Sequence, residues 1–258
     1  MPKLLTLLLI LLAACSPNQQ KQAASSISLI DSLKQCQLQN ILLCDSIVSL
    51  TENTYETHQR SEPLGYIDSN YQRLYIHFNT IHKNPKNPLE YLCSGATRVH
   101  NTICHFNGTL NLKNAFATAN KFQDQHHHCA TIVFDVLLYE DSTEFESGFF
   151  TGQLEYDVWL DSSFTAYYDG LKFYSDSYSN NRFTGQWHKY KSTEIKPCGW
   201  GDYRIPNSDD LDVGAGEFSV NDPYVKNGWQ DYMDSWGTHG DSLRTQKAKE
   251  RESYQWWQ

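Results

Sequence analysis

Basic side chains are scarce in this sequence, which has 21 Lys and Arg against 30 Asp and Glu and a formal net charge of −9. Nucleic-acid binding depends on clustered Lys and Arg, and so does electrostatic docking on anionic lipid. The acidic balance therefore argues against nucleic acid as a partner and against a membrane contact held by charge. Methionine is also scarce, with two residues. Long runs of helix-forming residues are few, which favours β-structure.

Familiar catalytic and cofactor motifs are missing as well. The sequence has no Gly-x-Ser-x-Gly elbow, no His-Glu-x-x-His and no glycine-rich phosphate loop, which excludes several common mechanisms. The run His126-His127-His128-Cys129 contains metal-ligand residue types. However, neighbouring side chains do not converge easily on one ion, and no second cluster with ligand spacing lies nearby. We interpret this run as a polar loop and predict neither a metal nor a cofactor.

Aromatic residues, by contrast, make up 14% of the chain, and hydrophobic residues make up 40%, enough for a sizeable core. Tyr, Phe and Trp favour pleated surfaces. Alternating or continuous apolar patterns predict strands at Leu74–Phe78, Leu89–Gly95, Ile103–Leu112, Thr131–Tyr139 and Gln153–Asp161. We predict a mainly β domain over residues 70–220. Its antiparallel, curled sheet forms a sandwich or a partly closed barrel.

A short internal repeat supports the prediction of a curled sheet. The sequence Phe-Thr-Gly-Gln occurs at residues 150–153 and again at 183–186, and each copy leads into alternating apolar residues. A glycine inside a strand usually marks a bend, a bulge or a close backbone approach. We therefore predict that two strands bend at equivalent places. Asp169-Gly170 predicts a hairpin turn between Phe164–Tyr168 and Leu171–Tyr174.

The N-terminus carries an apolar run, Leu4–Ala14, interrupted only by Thr6. It is shorter than the roughly 20 residues that span a bilayer as a helix, and it fits the apolar core of an export signal. The run ends in Leu12-Ala13-Ala14-Cys15, which resembles the lipobox of bacterial lipoprotein signal peptides. The resemblance implies removal of residues 1–14 and acylation of Cys15. Because Ser16 follows, it also implies the outer membrane, on either its periplasmic or its surface face. A secretory signal with a coincidental Cys is the alternative.

The remaining segments differ in composition. Residues 15–26 are small and polar and predict a flexible tether, whereas 27–50 follow a helical face and predict a helix. Residues 51–68 are polar, with Pro63 and Gly65, and predict a loop. Residues 221–258 predict an aromatic loop region followed by a charged C-terminal tail. We expect the terminal aromatic rings to dock back on the core.

Six cysteines remain beyond the one in the lipobox. An exported protein meets an oxidising compartment, so we predict two or three disulfides. The candidates are Cys36, Cys44, Cys93, Cys104, Cys129 and Cys198. Six cysteines allow 15 pairings, and we favour Cys93–Cys104 as a local bridge. Cys36 and Cys44 lie about 12 Å apart if 27–50 is one helix, too far to bond to each other.

The stretch Pro197–Phe218 concentrates aromatic, charged and glycine residues and is our candidate binding surface. Trp, Tyr and Arg dominate binding hot spots, and rings beside carboxylates suit sugars. The candidate binding residues are Trp200, Asp202, Tyr203, Arg204, Asp210, Asp212 and Glu217. Asp210-x-Asp212-x-Gly214 begins like a calcium loop, but position five is Gly214 and position twelve is Asn221 instead of Glu. We interpret Asp209 and Asp210 as residues of a solvated turn and expect Asp202 to pair with Arg204 or to cap backbone amides.

These features favour a lipid-anchored binding or protective module of the cell envelope, of the inhibitor or immunity type, that recognises a protein or glycan. Its acidity suits a basic partner. The alternative is a glycan-directed envelope hydrolase that uses the Asp/Glu cluster at 202–217, since glycosidases need two carboxyls roughly 5 to 10 Å apart. A third hypothesis makes the stretch a purely structural loop. Convergence of at least two of these carboxylates in one concave pocket distinguishes an enzyme from a binder.

Overall fold

The computed structural model describes residues 29–51, 54–119, 128–237 and 239–258. The predicted signal peptide, Cys15, the tether, His126 and His127 lie outside these ranges. The strands are β1 (Ser46–Thr51), β2 (Thr54–Gln59), β3 (Leu64–Ile67), β4 (Gln72–Lys83), β5 (Glu90–Val99), β6 (Thr102–Ala117), β7 (His128–Glu140), β8 (Gly148–Leu160), β9 (Ala166–Tyr168), β10 (Asn180–Lys189) and β11 (Ile195–Asp202). The helices are α1 (Gln39–Leu42), α2 (Asp222–Tyr224), α3 (Gln230–Ser235) and α4 (Ser242–Glu252), with helical turns at Asp209–Leu211 and Val225–Trp229.

Eight strands close into one antiparallel barrel. Strands β3 to β8 follow one another around the sheet, β10 pairs with β8, and β11 pairs with both β10 and β3. Strand β9 pairs with the last residues of β8, and β1 and β2 form a separate hairpin. The prediction of a mainly β, antiparallel, curled sheet is confirmed, and the sheet is a closed barrel instead of a sandwich.

The interior of the barrel is filled by the residues that alternate inward along each strand. In β8 these are Leu154, Tyr156, Val158 and Leu160, all buried as the period-two pattern predicts. Large rings complete this core, among them Phe106, Phe134, Phe150, Phe183 and Trp200. Each such side chain contributes about 1.5–3 kcal/mol when it is fully buried.

The two copies of the Phe-Thr-Gly-Gln repeat lie side by side on β8 and β10. Gly152 pairs directly with Gly185 in the antiparallel register. A Cβ atom on Gly185 would lie 2.4 Å from the ring of Phe183, so glycine is required by this close approach. The predicted hairpin at Asp169-Gly170 is wrong. Strand β9 ends at Tyr168, and residues 171–174 form a turn in which the Leu171 amide bonds to the Asp169 carboxylate.

One end of the barrel is closed by the N-terminal segment. The side chains of Leu33, Leu38 and Ile41 are buried against the barrel core. The predicted continuous helix over 27–50 is wrong, because the structure has a helical segment at 29–33, then α1, then strand β1. The ammonium of Lys83 on β4 bonds to the carbonyls of Lys34 and Cys36, both at 2.7 Å. A continuous helix would use those carbonyls internally.

A second layer covers the outside of β3 and β4. Residues 205–236 build a smaller core there around Trp229 and Phe218. The C-terminal tail docks on the neighbouring outer surface, as predicted: Trp256 is buried, and Trp257 stacks on His77 at 3.9 Å. Helices α2, α3 and α4 and the helical turn Val225–Trp229 cover most of residues 221–258, which are therefore largely helical instead of a loop. None of the helices in the described ranges is long and apolar enough to cross a bilayer.

The six cysteines of the described chain form no disulfide, so the prediction of two or three bridges is not confirmed. Cys93 on β5 lies opposite Gly108, whereas Cys104 on β6 lies opposite Thr97. The two cysteines are thus four strand positions out of register, about 13 Å along the strand. A disulfide requires Cα atoms within about 7 Å. The predicted local bridge is incompatible with this strand pairing.

Candidate functional site

The residues of the predicted binding surface lie in three different environments. Trp200 is completely buried in the barrel core, where its ring stacks on Phe183 at 3.7 Å. Tyr203 is half-buried and packs edge-on against Phe173. Asp202 is buried at the closed end of the barrel. Trp200, the residue of this stretch whose type is most typical of binding hot spots, is therefore part of the core.

Asp202 belongs to a buried ion pair with Arg60. The guanidinium Nε of Arg60 lies 2.7 Å from Asp202 Oδ2, and the Tyr168 hydroxyl donates to the same oxygen. The other guanidinium nitrogens donate to Tyr156 Oη and to the carbonyls of Leu42 and Cys44. Burial by itself lowers the pKa of Arg60, but the electrostatic interactions with Asp202, Tyr156, Tyr168 and Cys44 together outweigh it and raise that pKa. This network links the N-terminal segment to the barrel wall.

The remaining charged residues of the stretch hold a loop together. Arg204 Nη1 lies 3.2 Å from Asp212 Oδ2, and Arg204 Nη2 donates to the carbonyls of Gly214 and Glu217. Asp212 also accepts from the backbone amides of Gly214 and Ser219. Asp210 is exposed and accepts from the Tyr224 hydroxyl. The four carboxylates predicted from the sequence are not brought into one cleft. The described part of the chain offers no group of three or more His, Cys, Asp or Glu that suits a metal ion.

A cavity of about 280 Å³ opens at the end of the barrel opposite the N-terminal segment, and we call it the mouth cavity. It lies where β3, β5 and β7 end and where β4, β6 and β8 begin, so antiparallel pairing brings its residues to one rim. Its wall is formed by Ile67, Leu74, Thr97, Val99, Cys104, Glu140, Phe150 and Trp187, and its rim by Asp68, Asn70, Gln72, His100, Thr102, Glu146 and Lys196. One water needs roughly 10–15 Å³, so the cavity admits a small organic molecule.

Glu140 is the buried carboxylate of this cavity. It is 5% exposed and accepts three hydrogen bonds. The Thr97 hydroxyl donates to Oε1 at 2.5 Å, whereas the Trp187 indole N–H and the Gly148 amide donate to Oε2 at 2.9 and 2.8 Å. Among the described residues, no Lys, Arg or His forms an ion pair with it, which is rare for a buried carboxylate.

Burial raises the pKa of Glu140, and the hydrogen bonds from Thr97, Trp187 and Gly148 oppose that rise. Burial, assisted by the nearby charge of Glu140, also raises the pKa of the Cys104 thiol to about 12. Cys104 therefore stays a neutral thiol at physiological pH and is a poor nucleophile. The wall of the cavity presents one ionisable carboxyl, a thiol and aromatic rings.

The charged side chains of the rim form ion pairs, mostly with residues just outside the cavity lining. Lys196 Nζ lies 3.0 Å from Glu194 and 3.8 Å from Asp68, and it also lies over the Trp187 ring, 5.3 Å from its centroid. Glu146 pairs with Lys189 at 2.5 Å. Glu140 thus differs from the rim carboxylates both in its burial and in having only neutral partners.

Glu140 is not among the candidate residues predicted from the sequence, although a local signal for it exists. Phe134, Val136 and Leu138 on β7 are buried at every second position, and Glu140 occupies the next position of the same series. A carboxylate at the inward position of an apolar strand must be buried or lie at an end of the sheet. His188 lies beside the cavity residue Trp187 and stacks on Phe149 at 4.7 Å.

Comparison of the chain with protein-family models, with curated proteins and with solved structures finds no match. The geometry of the mouth cavity is therefore the best guide to function in this protein. That cavity combines concavity, an apolar wall and a carboxyl with a displaced pKa, which are the general features of ligand sites.

Proposed function

We propose that this protein is a binding module of the cell envelope whose ligand site is the mouth cavity. The observation that carries the proposal is the buried Glu140 on the wall of an open, mostly apolar cavity. An eight-stranded barrel is just wide enough inside to hold one small ligand. The closed opposite end leaves the mouth as the route of entry.

A binder fits this geometry better than the alternative hydrolase. A glycosidase needs two carboxyls that flank the scissile bond. In the stretch 202–217, Asp202 is engaged by Arg60, and Asp212 is engaged by Arg204 and two backbone amides. A protein- or glycan-binding surface on the same stretch would present Asp210 and Glu217, because Trp200 is in the core. The mouth cavity is therefore the better candidate.

Binding at the mouth cavity is testable with a substitution at its rim. Thr102 lines the cavity as the first residue of β6, and a Trp there would fill the opening. We expect Thr102→Trp to weaken binding of a small neutral probe, phenethyl alcohol, by at least about tenfold, because the ring would occupy the site. Saturation-transfer NMR measures such weak binding directly.

The matched control is Asn101→Trp, which adds the same ring at the exposed neighbouring position that does not line the cavity. This variant should bind the probe like the unaltered protein. Equal loss in both variants, or no binding of the probe to the unaltered protein, would argue against the mouth cavity as the ligand site.

We also propose that Cys15 anchors the protein to the outer membrane through attached acyl chains. The support is the apolar run Leu4–Ala14 and the lipobox-like ending before Cys15. In a bacterial host, Cys15→Ser should abolish incorporation of radiolabelled palmitate, because the acylated sulfur is gone. Ser16→Asp is the control, since it leaves that sulfur in place. Labelling that persists in Cys15→Ser would contradict the anchor.

A further inference from the structure

We infer that the mouth cavity takes a small organic cation, an amine or guanidinium carried on a flat apolar body, with Glu140 as its counter-ion. This inference rests on the proposed binding function and specifies its ligand class. It arises from three features of the cavity: a buried carboxylate without a cationic partner, an aromatic wall, and a rim with an excess of negative charge.

The first feature is the unused acceptor capacity of Glu140. A carboxylate has about four acceptor positions, and Thr97, Trp187 and Gly148 occupy three of them. All three donors are neutral, so the negative charge remains uncompensated in a poorly solvated place. A ligand ammonium or guanidinium would supply both the fourth hydrogen bond and the missing charge.

The second feature is the aromatic wall beside that carboxylate. Trp187 and Phe150 both line the cavity, and both are almost completely buried. The hydrogen bond from the indole N–H to Glu140 holds the Trp187 ring in a fixed orientation. The ammonium of Lys196 already lies over this ring, 5.3 Å from its centroid. The ring is therefore placed so that it can accept a cation, and the apolar wall suits a flat body.

The third feature is the charge around the opening. Glu146 is paired with Lys189, which lies outside the lining, and the cavity residues otherwise include the carboxylates of Asp68 and Glu140 against one amine, Lys196. That amine is engaged by Glu194 and Asp68. An anionic ligand would therefore meet repulsion both at the rim and inside, whereas a cation is attracted at both places.

The test uses three probes with one phenyl ring and different headgroups: phenethylamine, phenethyl alcohol and phenylacetate. Calorimetric titration of the full chain should show phenethylamine binding at least tenfold more tightly than phenethyl alcohol, and phenylacetate binding most weakly. Glu140→Gln removes the charge and can keep all three hydrogen bonds, since the Thr97 hydroxyl can also accept one from an amide. This variant should lose at least tenfold in affinity for the amine and bind the alcohol unchanged.

A second variant, Lys196→Met, leaves Glu140 in place and should strengthen amine binding several-fold while weakening phenylacetate further. Equal affinities for the amine and the alcohol, or an amine affinity that Glu140→Gln leaves unchanged, would overturn the inference while the binding function stands. Failure of all three probes to bind would overturn both. The headgroup series on the unaltered protein keeps the inference falsifiable even where a variant does not fold.

Discussion

Replacement of Arg60 by Met should lower the free energy of unfolding by about 3–5 kcal/mol, because a buried carboxylate then loses its counter-charge. Asp202 is 1% exposed in its side chain and would keep only the neutral donors Tyr168 and Asn181. The substitution also removes the bonds to the carbonyls of Leu42 and Cys44. The N-terminal segment would then keep its apolar packing, the contacts of Lys83 and the bond from the Tyr91 hydroxyl to the Cys36 carbonyl.

Urea denaturation followed by circular dichroism measures this loss directly. The control is Lys113→Met, which breaks the half-exposed pair with Asp135 at 3.0 Å. That change should cost less than about 1 kcal/mol, because solvent screens exposed pairs. Similar small losses in both variants would falsify the assignment of Arg60 and Asp202 to a buried structural network.

Replacement of Trp200 by Ala should also cost about 3–5 kcal/mol of unfolding free energy, the range for large aromatic residues removed from a core. Trp200 lies on β11, and its ring is fully buried in the barrel core, where it stacks on Phe183 of β10. If Trp200 were instead a binding hot spot on the surface, its removal would leave stability nearly unchanged. The experiment thus separates the sequence-based role of this residue from its structural role.

Two further variants make the measurement specific. Trp236→Ala removes a ring that is 53% exposed and should change the unfolding free energy by about 0.5 kcal/mol or less. Trp200→Phe should cost clearly less than Trp200→Ala, because Trp200 Nε1 has no hydrogen-bond partner in the described structure and little polar interaction is lost. A Trp200→Ala protein as stable as Trp236→Ala would contradict the core assignment.

Much of the fold follows from local patterns. Strands β4 to β8 were predictable because apolar residues alternate or run continuously over each of them, and burial on one face of a strand has a period of two. Strand β2 was not predictable. It is exposed along nearly its whole length, so no hydrophobic signal marks it within the polar stretch 51–68. Its neighbour β3 is four residues long, too short for a periodic pattern.

The partners of the charged residues in and around the predicted binding stretch were less predictable than the fold. Arg60 lies in that same polar stretch, and its partner Asp202 is 142 positions away. Asp202 and Asp212 are ten positions apart and chemically alike, yet one is buried in a salt bridge with Arg60 and the other holds a loop with Arg204. No local pattern distinguishes such carboxylates, because their surroundings come from distant segments.

The sequence by itself determined that this protein is mainly β, that it is acidic, and which side chains of most strands face the core. These properties depend on composition and on the alternation of side chains, with a period of two residues, along each strand. Only the tertiary structure decided that the sheet closes through β11 and β3, that the cysteines stay out of bonding register, and that Glu140 meets Trp187 at the mouth. Each of these depends on pairing between segments far apart in the chain. Such pairing is selected by the packing of the whole core and not by any one stretch.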